Sequence, residues 1–71
     1  MIMVEVFKTN VEDPRDAVLL IDRIQKTFVG YKANFDLEDC DKILRIEGDS
    51  ISHERIITTI NKNGYQCQVL E

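Results

Sequence analysis

Tryptophan is missing from this 71-residue chain, and proline and histidine occur once each, as Pro14 and His53. With one histidine, expected at the end of the fold opposite Cys40, no nucleophile–base–acid set can be assembled for Ser50, Ser52 or the cysteines. The three glycines, Gly30, Gly48 and Gly64, are scattered, which excludes a phosphate-cradling loop. An enzyme is therefore not expected. The longest apolar run, Ala17 to Ile21, falls far short of the roughly 20 residues that cross a bilayer. The opening Met1-Ile2-Met3-Val4-Glu5 lacks the basic and apolar regions of a signal peptide. Basic residues are also scarce, 9 against 13 acidic ones, for a net charge of −4. That sign disfavours nucleic acid and anionic membrane as partners, because both attract basic surfaces.

What is present describes a small folded unit. A hydrophobic fraction of 44% argues against disorder, and no repeat, low-complexity tract or linker divides the chain, so residues 1–71 are expected to form one domain. Two cysteines without an export signal point to a reducing, cytoplasmic setting.

Ile2 to Thr9 alternates as a strand, with Ile2, Val4 and Val6 expected inward and Met3, Glu5, Phe7 and Thr9 outward. Asp13 and Pro14 read as the N-cap and first position of a helix. Ala17, Leu20, Ile21, Ile24 and Phe28 then follow helical spacing up to Gly30. Tyr31 to Leu37 is a second strand, the polar Glu38–Asp41 segment a hairpin, and Lys42 to Glu47 a third strand. Ser52 caps a second helix whose stripe is Ile56, Ile57 and Ile60, Asn63-Gly64 ends it, and Tyr65 to Leu70 is a last strand. The order β-α-β-β-α-β with right-handed crossovers specifies an α+β, ferredoxin-like sandwich, sheet order 4-1-3-2, both helices on one face. That topology collects the first loop, the hairpin and the Asn63-Gly64-Tyr65 turn at one end of the molecule.

Here the chain resembles the heavy-metal-associated family of copper chaperones and metal-ATPase domains. The likeness spans nearly all 71 residues and rests on element lengths, on Asp36-Leu37-Glu38, and on Ser52…Ile56…Ile60…Asn63-Gly64-Tyr65. The resemblance implies a metal loop between the first strand and first helix, with the tyrosine beside it. Laid on the family's Met-x-Cys-x-x-Cys motif, however, Val11 falls at the methionine, and Asp13 and Asp16 fall at the two cysteines. Cu(I) is soft and selects thiolate or thioether, so chaperone activity toward it does not transfer.

Asp13 and Asp16 can instead be read as a hard pair for Mg²⁺, Ca²⁺ or Mn²⁺, with Glu12, Glu38, Asp39 and Asp41 at the same end as further oxygen donors and Tyr65 beside them. They can equally be a helix cap and a complement to the helix dipole, which accounts for them without metal. Cys40 and Cys67 are expected on elements at opposite sheet edges, about 14 Å apart at the usual strand spacing, too far for a disulfide. His53 is expected to face solvent. RNA-recognition domains share the topology, but the third strand offers Ile43, Arg45 and Glu47 and no aromatic for stacking. Met3, Phe7 and Ile43 would then form an apolar patch on the helix-free sheet face, suited to a protein partner or a homodimer. The reading reached from sequence is a protein-interaction module of this fold without the thiolate site and with no bound cofactor. The alternatives are a carboxylate metal-binding module, an accessory protein of heavy-metal transport, and soft-metal handling through Cys40.

Overall fold

Residue-level signals set the helix boundaries. Asp13 is itself extended (φ −83°, ψ 122°), and its carboxylate accepts the Arg15 backbone N–H, which satisfies an orphan donor of the first turn. Pro14 then begins the helix at no hydrogen-bonding cost. Ser52 does the same for the second helix by accepting the Arg55 N–H. At the far end of that helix, Gly64 adopts φ +91°, a conformation that costs most other residues a Cβ clash.

The computed structural model describes residues 1–71 as β1 (Met3–Thr9), α1 (Pro14–Thr27), β2 (Lys32–Asp36), β3 (Ile43–Gly48), α2 (His53–Lys62) and β4 (Cys67–Val69). The four strands form one antiparallel sheet in the order β2-β3-β1-β4. This is the ferredoxin-like arrangement that the sequence order specifies. Ala17, Leu20 and Ile24 from α1 and Ile56 and Ile60 from α2 meet Phe7, Ala33, Leu44 and Ile46 in one core on one side of the sheet. The other side of the sheet carries no helix.

The first strand corrects the expectation. Phe7 is fully buried, and with Thr9 (6% exposed) and Val11 (0%) it forms the inward row, while Val4 is 43% exposed. Register fixes this, because Phe7 stands opposite Leu44 on β3 and Val69 on β4. The inward face of β1 is thus Glu5, Phe7 and Thr9, and the outward face is Val4, Val6 and Lys8. A strand shifted by one residue turns every side chain over, so the two readings exclude each other. The physical reason lies in the partners available inside. The Phe7 ring packs edge-on against the His53 ring at the start of α2, centroids 5.7 Å apart at 83°. Thr9 donates its hydroxyl to the Lys42 carbonyl (2.5 Å) and accepts the Val11 N–H (3.2 Å), so its burial leaves no polar group unmatched.

His53 is corrected with it. The ring is half-buried rather than turned to solvent, and its Nε2 lies 3.0 Å from Glu5 Oε2 in an approach too oblique for a directed hydrogen bond. Near Gly48, a Cβ would stand 2.8 Å from the Tyr31 ring. That close approach lets Tyr31 stack on Phe28 (5.1 Å, 21°) while its hydroxyl donates to the Ser50 carbonyl and accepts the Ser52 N–H. One aromatic residue therefore ties the entry of β2 to the N-cap of α2.

Candidate functional site

Hydrogen bonds join the three connections at the end where the topology places them. Thr9 N–H donates to the Asp41 carbonyl (3.0 Å), and the Thr9 hydroxyl reaches Lys42, so the first loop is fastened to the β2–β3 hairpin. The Gln66 N–H donates to Asn10 Oδ1 (2.8 Å), which fastens the α2–β4 turn to the same loop. β4 spans Cys67–Val69, shorter than the strand from Tyr65 to Leu70 that the alternation suggests.

Each of the two loop carboxylates has a partner from the chain itself. Asp13 Oδ1 accepts the backbone N–H of Arg15 (2.8 Å), and the Arg15 guanidinium closes on both of its oxygens, Nε at 3.3 Å and Nη2 at 3.0 Å. That contact, then the backbone bond, holds the Asp13 carboxyl below the usual carboxylate range, and Arg15 is raised in return. Asp16 accepts the hydroxyl of Tyr65. The bond to Asp16, then partial burial, then the charges of Asp16 and Asp13 all favour the neutral phenol and raise Tyr65. The family resemblance implies a tyrosine beside this loop, at Tyr65, but gives it no task without the thiols. Its task in the fold is to hold the turn before β4 against the first turn of α1.

This donor set does not fit the metal that the family resemblance implies. A soft ion needs sulfur, and the two positions carry carboxylates. A hard cation takes six or more oxygens. Of the four oxygens of Asp13 and Asp16, three already accept protein donors, and the Arg15 guanidinium is paired with Asp13. Glu12 is exposed beside them and Glu38 stands in the hairpin, where Asp36 accepts its N–H (3.2 Å).

The hairpin forms a separate group. Asp39 accepts the Asp41 N–H (2.8 Å), Lys42 takes φ 45°, and Lys42 Nζ caps the Leu37 carbonyl (2.9 Å). The result brings a carboxylate oxygen of Asp39, the Cys40 sulfur and a carboxylate oxygen of Asp41 within 4.8 Å of one another. The spacing was visible as a consecutive triplet, but only the turn geometry makes its side chains converge. Lys8 Nζ lies 3.6 Å from Asp41 and offsets part of that charge. Cys40 is exposed, Cys67 is half-buried, and both are free thiols. Burial pushes the Cys67 thiol up to about 12.

The three residues assigned to a contact patch do not share a surface. Phe7 is in the core, Met3 (42% exposed) stands on the helix side of β1, and Ile43 alone lies on the open face. Val4, Val6 and Leu70 occupy the open-face positions instead, as the register of β1 dictates, with Leu70 N–H donating to the Val6 carbonyl (2.9 Å).

No family model matches this chain, and no curated protein is similar to it in sequence. In three dimensions it is similar to a solved structure described as the CsoZ metallochaperone, with a TM-score of 0.76 over 100% of both chains at 19% identity. At that identity the likeness is one of fold. The chain thus shares the fold of that structure, and none of its helices is long and apolar enough to cross a membrane.

Proposed function

We propose that this chain is a metallochaperone-like domain of the heavy-metal-associated type that works through protein contacts rather than by carrying a thiolate-bound metal or by catalysis. The observation behind this reading is the use already made of the two loop carboxylates: Asp13 caps α1 and pairs with Arg15, and Asp16 accepts the Tyr65 hydroxyl. Both are structural tasks that a metal would have to disrupt. The fold likeness to a solved metallochaperone structure supports the architecture.

Titrating the protein with Ca²⁺ and then Mg²⁺ while following backbone amides by NMR tests this reading. The amides of Glu12 to Asp16 stay in place if the carboxylates serve the fold. Saturable shifts confined to that segment would show a hard-cation site and refute it.

A second reading has its own observation, the convergence of Asp39, Cys40 and Asp41. Under it, the hairpin takes a metal ion with one thiolate, and two chains together supply two. Replacing Cys40 with serine separates the readings: metal retention that disappears with C40S supports the hairpin site.

A further inference from the structure

Register places every residue of the open sheet face in three rows across the strands. The first row holds Lys32, Glu47 and Val4, and the second holds Asn34, Arg45 and Val6, with Leu70 bonded to the Val6 carbonyl. The third holds Asp36 and Ile43, continued by Lys8 and Gln68. Two features set this face apart. Ile2 is 73% exposed, Val4 43% and Leu70 39%, so apolar side chains stand uncovered along its centre and rim. The face also carries Lys8, Lys32 and Arg45 against Asp36 and Glu47, a slight excess of positive charge, while the whole chain carries −4. The surplus negative charge lies on the helices and loops. A second copy turned over on this near-neutral face meets less repulsion than two acidic helix-and-loop surfaces would.

We propose that this face is the contact between two copies of the chain, related by a two-fold axis that runs across the strands between the first and second rows. That operation lays Val4 on the partner's Val6 and Glu47 on the partner's Arg45. Because a two-fold contact is self-complementary, each pairing occurs twice. The segment before the first row, with Ile2, then covers Ile43 of the partner subunit and the aliphatic stem of the partner's Lys8. Arg45 already reaches its own Glu47 at 3.7 Å, so the four charges close into one alternating group at the centre. A face four strands wide and about 20 Å long has a footprint on the order of 400 Å² per copy, which belongs to reversible rather than obligate dimers. This inference rests on the reading of the chain as a contact module and names its partner.

Sedimentation and light scattering across a concentration series up to about 1 mM test it, since even a millimolar affinity half-forms there. The wild type moves from monomer towards twice the monomer mass. Arg45→Glu and Glu47→Arg each set like charges against like and weaken self-association by about tenfold or more. The two variants mixed in equal amounts recover the dimer, because one contributes only acidic and the other only basic residues at the centre. Unchanged circular dichroism shows that both variants stay folded. A wild type that remains monomeric at the highest concentration overturns the proposal and leaves the face to a different protein. So does a dimer that neither substitution weakens, or a mixture that fails to recover it. A monomer would leave the metal-free reading of the loop intact, since that is judged by the cation titration.

Discussion

The inverted first strand gives the sharpest energetic test. Phe7 is fully buried and makes an edge contact with His53, whereas Val4 on the opposite face is 43% exposed. Replacing Phe7 with leucine keeps an apolar residue but removes ring volume, which costs about 1–2 kcal/mol from lost transfer energy and residual cavity. Leucine is preferred to alanine as the probe. A Phe→Ala change costs about 3–5 kcal/mol, and a domain of this size has only roughly 4–10 kcal/mol in total. Val4→Ala removes two methyl groups that are only partly covered, for about 0.5 kcal/mol. In urea, with a slope of about 1 kcal/mol/M for a small domain, the midpoint falls by about 1–2 M for F7L and by about 0.5 M for V4A. Equilibrium unfolding followed by circular dichroism reads both. Equal midpoints, or a larger loss in V4A, would refute the assignment of faces and with it the open-face register.

The remaining predictions concern titratable groups and one close approach. Cys40 reacts promptly with a disulfide reagent at mildly alkaline pH, while Cys67, pushed up to about 12 by burial, reacts only as the domain unfolds; two equally fast thiols would contradict this. The fold favours the neutral phenol of Tyr65, so that contribution is whole below the ordinary value of 10.0 and fades as pH rises through the raised one. Ultraviolet titration of the phenolate in Asp16→Asn should bring Tyr65 back towards the ordinary range. Asp13 has the opposite sign: its contribution is present above the ordinary 3.8 and is lost as pH falls through the lowered value. NMR titration of its carboxyl in Arg15→Ala should show the return, since Arg15 is the main cause of the shift. Gly48→Ala forces the Tyr31 ring to move from 2.8 Å and loosens the α2 cap, lowering the melting temperature by several degrees.

Features decided by one residue were readable from the sequence. Asp13-Pro14 and Ser52 each carry their own capping chemistry, and the helices begin there. Asn63-Gly64 closes α2 for the same local reason. The pattern of β2 was unambiguous, because only Ala33, Phe35 and Leu37 offer an apolar row. β1 had two such rows, and alternation alone cannot choose between Ile2-Val4-Val6 and Phe7-Thr9-Val11. The choice is made by β3 and by the His53 ring, which are distant in sequence. The Tyr65–Asp16 bond spans 49 positions and leaves no local trace beyond the family likeness. The hairpin triplet was visible as residues, but its convergence depends on the Asp39 turn and the left-handed Lys42.

In the function proposed above, the loop between β1 and α1 serves the structure and carries no soft-metal site. Cu(I) titration against a competing chelator, run on the wild type and on C40S, tests it most directly. The expected result is no tight one-to-one binding in either protein. Binding that withstands a chelator of sub-micromolar affinity would contradict the account, and its loss in C40S would move the chemistry to the Asp39–Cys40–Asp41 hairpin.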